Sequence, residues 1–227
     1  MTIVIKLGGH LFFNENIKIS LIKAYNKVFH ELAKKEKIVI VVGGGGISRK
    51  YISAAREMGL NEAICDEIGI YISRINAYFL AQIIGEKAYP AIAENLQQVK
   101  QYLAQKNIVI TGGFQPGQST TAVAAIIAEA LKAKKLIIAT NVDGVYTKDP
   151  KKYSDAKLIK KITPEELSNI IEKESQIAGE YKLFDKLSLI IIKRSRIDCI
   201  VLNGEKIENI KKALKGEEIG TLITSAK

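Results

Sequence analysis

Short runs rich in β-branched residues alternate along the chain with longer stretches in which apolar residues recur at helical spacing. The first run, residues 3–7, precedes a helical pattern over 17–35, and the second, 38–42, precedes another over 47–58. That rhythm is the one expected of βαβ units, which place their strands in parallel. Further strands are predicted at 108–111, 136–140 and 199–202, each a near-continuous apolar run suited to burial under helices on both faces. Helices are predicted over 61–84, 96–105, 120–132, 164–172, 183–195 and 206–215. The fold class that follows is α/β: a three-layer α/β/α sandwich with a central, mostly parallel sheet.

No linker, repeat or low-complexity tract interrupts this order, and 227 residues suffice for one large core, so a single domain over 1–227 is expected. Two cysteines, Cys65 and Cys199, lie far apart without neighbours at metal-ligand spacing. They read as small buried hydrophobes, and no protein-held metal site is expected. The opening run Met1-Thr2-Ile3-Val4-Ile5-Lys6 is too short for a signal peptide, and no later stretch offers about twenty uncharged apolar residues. A cytoplasmic location without membrane contact is the expectation. The net charge of +10 invites anionic partners, yet the lysines are scattered and no aromatic residues interleave with them. A solvated basic surface fits this better than nucleic-acid binding.

In open α/β sheets ligands sit beyond the carboxyl ends of the strands, and there the glycines gather. Gly8-Gly9 follows the first predicted strand, Gly43-Gly44-Gly45-Gly46 the second, Gly112-Gly113 a central one, and Asn141-Val142-Asp143-Gly144 another. The four-glycine run, entering a helix, is compatible with a phosphate cradle or with a tight turn alone. It is neither a Walker loop nor a dinucleotide fingerprint, because the defining Gly-Lys-Ser/Thr and Gly-x-Gly-x-x-Gly are missing. Arg49 and Lys50 add positive charge beside it, and Lys6 would bring an ammonium to the end of the first strand. Ser119, Thr120 and Thr121 open an alanine-rich helix, where they either cap it or hold a phosphate. Phe114 before them can lie against a base, and Gln115 or Gln118 can hydrogen-bond one. Asp143-Gly144 either forms a turn or sets Asp143 beside the basic groups to orient them, while Thr140, Asn141, Tyr146 and Asp149 line a pocket for a nucleotide donor.

Taken together and in this order, Lys-x-Gly-Gly, then Gly-Gly-Gly, then Thr-Asn-Val-Asp-Gly-Val-Tyr resemble the amino-acid kinase superfamily over essentially the whole chain. The run Gly112-Gly113-Phe114-Gln115-Pro116-Gly117-Gln118-Ser119-Thr120, with Asp66, Arg74-Ile75-Asn76-Ala77, Ala178-Gly179, Asp185 and Arg194-Ser195, looks like the archaeal-type UMP kinases. The resemblance implies an amino-acid kinase fold and phosphoryl transfer from ATP to UMP. It implies that the N-terminal part binds the acceptor and the C-terminal part ATP. It implies that Lys6, Gly8, Gly9, His10, Gly45 and Arg49 meet ATP, with Thr140, Asn141, Tyr146 and Asp149 around its nucleoside. Gly44, Asp66, Phe114, Gln115, Pro116, Gly117, Gln118, Ser119 and Thr120 would hold UMP; Lys6, Arg49 and Asp143 would be catalytic. A homo-oligomer, specifically a homohexamer, is likewise implied.

Two positions depart from the pattern. His10 replaces the small or lysine residue that often follows the paired glycines, and Ile190 replaces a lysine directed at the phosphates, with Lys186 and Lys193 one turn away as candidate substitutes. The chemistry expected needs no general base, because a phosphate monoester is already largely dianionic at neutral pH. It needs cations, amides and Mg²⁺ carried in with ATP. An isopentenyl phosphate kinase of the same superfamily is the nearest enzymatic alternative, and a non-catalytic nucleotide sensor the alternative from another class.

Overall fold

A computed structural model describes residues 1–14, 16–148, 150, 152–175 and 183–225; Asp149 and Ala178-Gly179 fall outside them. The chain runs β1 (Thr2–Leu7), α1 (Gly9–Phe12), α2 (Ile19–Leu32), β2 (Lys37–Val42), α3 (Gly45–Glu57) and α4 (Glu62–Ile84). After a 3₁₀ turn at Gly85–Lys87 come α5 (Leu96–Gln105), β3 (Ile108–Thr111), α6 (Thr120–Ala130) and β4 (Lys135–Thr140). The remainder is β5 (Lys161–Ile162), α7 (Pro164–Ser175), α8 (Lys186–Ser195), β6 (Cys199–Asn203), α9 (Glu208–Lys215) and β7 (Thr221–Ile223).

The strands form one sheet in the order β3-β2-β1-β4-β6-β7-β5. All neighbours are parallel except β6 and β7, which pair antiparallel, so the sheet is mostly parallel as expected. Alternation along each strand supplies two apolar layers. Ile3, Ile5 and Leu7 of β1 pack with Tyr25 of α2, Leu80 of α4 and Ile210 of α9 on one face. Val4 faces the other side with Val99 of α5, Val123 and Ile127 of α6, and Ile191 of α8. Lys6 shares the parity of Val4 and so lies on the α6 side, at the carboxyl end of its strand. Cys65 and Cys199 are free and buried, as expected of small hydrophobes.

Helix starts follow local chemistry. The side chains of Asn61, Asn95 and Ser119 accept from the backbone N–H three residues on, at α4, α5 and α6. Asp185 and Ser188 form a reciprocal capping box at α8, so that helix begins at Lys186 rather than at 183. Four short features were not anticipated. The four-residue α1, the two-residue β5 and the three-residue β7 are too brief to carry a period. The fourth is the start of α3, which lies inside the glycine run at Gly45, two residues earlier than the apolar pattern suggests.

Candidate active site

Two tight turns meet at the carboxyl ends of β1 and β2. Gly8 N–H donates to Ala139 O at 2.8 Å and Gly43 N–H to Leu7 O at 3.0 Å, carrying the sheet's hydrogen bonding one residue past the strands. Gly9 then lies directly against Gly43 and Gly45, with no room for a Cβ. Gly45 has φ +73° and faces the Phe13 carbonyl at a distance no side chain would permit. Asn76, buried on α4, donates through Nδ2 to the carbonyls of Gly43 and Gly44 at 3.1 and 3.2 Å. This clamp holds the glycine turn in place, and Gly46 N–H at the start of α3 donates to the Phe13 carbonyl at 3.1 Å.

Beside these turns opens a cleft of about 570 Å³. Lys6, Gly9, His10, Gly44, Gly45 and Arg49 line one side of it, and Ser119, Thr120, Thr140 and Asn141 the other. The charged groups are all basic: Lys6, Arg49 and Arg56, with His10 beside them and no carboxylate among the described lining residues. Lys6 is only 8% exposed, and the loss of water around its ammonium brings its pKa down to about 8. A buried ammonium without a carboxylate partner is costly, and an anion entering the cleft would offset that cost. Arg49 is held by His10, with Nη2 2.7 Å from Nδ1. A guanidinium only donates, so Nδ1 accepts and the ring proton sits on Nε2.

The start of α6 adds a second helix N-terminus to the cleft. Of its three hydroxyls, one caps the helix. Ser119 Oγ accepts from Ala122 N–H at 3.0 Å as the cap and Thr121 donates to Leu183 O at 3.0 Å, while Thr120 lies on the cleft wall. The loop leading into α6 is tied to α4. Asp66 accepts from Gly117 N–H at 2.8 Å, and Arg74 donates to the carbonyls of Gly113 and Phe114, both at 3.1 Å. Asp66 and the loop around Phe114, Gln115, Pro116, Gly117 and Gln118 therefore share one rim next to the cleft.

Other residues lie outside the cleft lining. Asp143 is one: its carboxylate accepts from Asn203 Nδ2 and Lys206 Nζ, each at 3.1 Å. These two hydrogen bonds, that from Asn203 first, hold its pKa below the usual carboxylate range. Lys186 pairs with Glu172 at 3.2 Å and Lys193 with Glu165 at 2.9 Å, and neither is among the described residues that line the cleft. Ile190, which is 57% exposed, lines a separate groove with Lys193 and Glu165. Tyr146 forms a β-bridge with Leu158 beyond the cleft lining. Asn14, Ser48, Arg56 and Leu183 line the cleft without having been singled out, and Arg56 is held there by Glu62 at 2.6 and 2.7 Å. Asn76, which clamps the glycine turn, was signalled through the family resemblance. Among the described residues no cluster of His, Cys, Asp and Glu is arranged to hold a metal ion, and no helix is long and apolar enough to cross a membrane.

The family model described as the Amino acid kinase family matches residues 1–203. The chain is 43% identical to the uridylate kinase of Methanobrevibacter smithii, covering 99% of this chain and 100% of that protein. It is 44% identical to the uridylate kinase of Sulfurisphaera tokodaii, over 98% of this chain and 99% of that one. The crystal structure of uridylate kinase from Archaeoglobus fulgidus superposes with a TM-score of 0.88 at 38% identity, covering 99% and 100% of the two chains. The UMP kinase from Bacillus anthracis superposes with a TM-score of 0.82 at 21% identity, over 100% of this chain and 96% of that one, a likeness of fold.

Proposed function

The chain belongs to the amino acid kinase family, and on that premise we propose that it is a UMP kinase, transferring the γ-phosphoryl group of ATP to UMP to give UDP and ADP. The observation that carries this reading is the convergence of Lys6, Arg49, the glycine turn and the start of α6 on one cleft whose charged residues are all basic. Two nucleotides with phosphates facing each other need what such a cleft offers: cations and N–H groups to cancel repulsion and hold the reacting oxygens in line. No proton acceptor is required, since the second ionisation of a phosphate monoester lies near pKa ~6 and the acceptor arrives as a dianion.

In this reading Lys6 and Arg49 bear on the transferring phosphoryl group, with His10 setting the direction of the guanidinium. The N–H groups at Gly9, Gly44 and Gly45 receive phosphate oxygens, and Gly8 shapes the turn that presents them. Thr140, Asn141, Tyr146 and Asp149 hold the nucleoside of ATP, so the C-terminal part of the domain binds the donor. Asp66 with the loop from Phe114 to Thr120 holds UMP, so the N-terminal part binds the acceptor. Asp143 acts through Lys206 and Asn203. Mg²⁺ enters as part of the MgATP substrate: a cationic lining suits an ion whose ligands are phosphate oxygens and water.

Location in the cytoplasm and assembly as a homo-oligomer, a homohexamer by family likeness, belong to the same proposal. Support for assembly comes from the large apolar side chains that α3 and α4 leave exposed, among them Tyr51, Tyr71, Ile75 and Tyr78.

The test is a coupled assay of ADP release with MgATP and a panel of acceptors: UMP, CMP, isopentenyl phosphate and N-acetylglutamate. UMP is expected to give the highest kcat/KM. Preference for isopentenyl phosphate, or nucleotide binding without ADP release, would overturn the reading in favour of a different kinase or a sensor.

A further inference from the structure

At the end of the strands opposite the cleft lies a second concavity of about 630 Å³, bounded by the end of α2, the starts of β1 and β4, and the last turns of α9. Its charge is one-sided. Lys34, Lys35, Lys134, Lys135, Lys211 and Lys215 line it against two carboxylates, Glu31 and Glu36. Both carboxylates are already committed: Glu31 lies 2.9 Å from Lys211 Nζ and Glu36 3.1 Å from the N-terminal ammonium. Lys135 donates to the Ala213 carbonyl at 2.7 Å. Among the described residues, no ion pair engages Lys34, Lys35, Lys134 or Lys215.

Complementing helix dipoles explains part of this. Lys34 and Lys35 follow the end of α2, and Lys215 ends α9, where cations are favoured. It does not explain why these lysines converge with Lys134 over an apolar floor of Ile3, Leu32 and Leu214. Crowded ammonium groups repel one another, and a concavity of one sign lowers the energy of a counter-charged ligand that enters it. The volume is also within the range of small-molecule sites, roughly 300–1,000 Å³.

We propose that this concavity binds a compound carrying two or more linked phosphate groups, with the apolar floor receiving any uncharged body attached to them. The site is distinct from the cleft, because β1 and β4 separate the two by the length of a strand, roughly 17 Å. The inference holds whichever acceptor the cleft takes.

Calorimetric titration of the full chain at low ionic strength, with inorganic tripolyphosphate and separately with ATP, tests it. The parent protein is expected to show a saturable site beyond the cleft for at least one of them. The double variant Lys35→Gln/Lys134→Gln weakens that site by about tenfold, as the loss of charge-assisted contacts would. The control Lys23→Gln/Lys100→Gln, placed elsewhere on the surface, leaves it unchanged. Tighter binding of ATP assigns the floor to the nucleoside, and equal affinity assigns the site to the phosphate chain alone; both support the proposal. A single site in the parent, or equal weakening by the two double variants, overturns it, the latter marking attraction to the net charge.

Discussion

Lys6 bears the largest burial cost in the cleft. Folding takes its pKa from 10.5 to about 8, because water is stripped from the ammonium. Between those values the unfolded chain holds a proton that the folded chain has released, so stability rises with pH across that window. Below it both states are protonated and the cost is complete, on the order of 3 kcal/mol. Lys6→Met is therefore expected to raise the urea midpoint at pH 7, with the advantage shrinking as pH rises from 8 to 10.5. Turnover should fall by roughly 10²–10³-fold, the scale for removing one preorganised electrostatic contact. A destabilised variant with unchanged turnover would place Lys6 among structural residues. Asp66 gives a second expectation. It binds the Gly117 N–H from α4, so Asp66→Ala should raise the KM for UMP about tenfold while leaving the KM for ATP unchanged, as loss of a hydrogen bond to a charged group would. A shift in both constants would show that the loop serves both nucleotides. At this scale Lys6, Arg49 and Thr120 were legible in the sequence because each lies at the end of a strand or in the first turns of a helix. The true partners of Asp143 were not, since Asn203 and Lys206 lie about sixty residues away and only the fold brings them in.

Among the elements, the contact between the turn after β1 and the start of α3 is the tightest constraint. Gly9 touches Gly43 and Gly45, and Gly45 combines a positive φ with a carbonyl where its Cβ would be. Gly45→Ala is expected to cost at least about 2 kcal/mol through backbone strain alone. That corresponds to a drop of roughly 4–8 °C in the midpoint of thermal unfolding for a domain of this size, measurable by calorimetry. A variant as stable as the parent would mean that the turn can relax away from Phe13. The glycine run announced a turn, but not that helix α3 starts within it, because a glycine run signals backbone freedom rather than helix. The long strands and amphipathic helices were visible for the opposite reason: β1, β2 and β4 each carry five consecutive buried residues between breakers. β5 and β7 owe their existence to pairing with each other and with β6, not to their own sequence.

The whole molecule distributes its chemistry along the strand direction: the basic cleft at one end of the sheet, the lysine-lined concavity at the other, and an uncovered apolar face on α3 and α4. On α4 the buried side runs through Cys65, Ala77, Leu80 and Ile84, while Tyr71, Ile75 and Tyr78 are more than half exposed. The structure buries one side of this helix and leaves the other exposed. Sedimentation equilibrium is expected to give a mass well above the 25.0 kDa of one chain, and Ile75→Glu/Tyr78→Glu should return it toward that value. A parent that sediments as a single chain would assign the face another role. The central claim is that the glycine turn, Lys6 and the start of α6 hold two nucleotides phosphate to phosphate. Transfer of label from γ-labelled ATP to UMP, followed in a single turnover, tests this most directly. The account predicts labelled UDP from the parent and almost none from Lys6→Met with both nucleotides still bound; labelled UDP formed at equal rates by both proteins would contradict it.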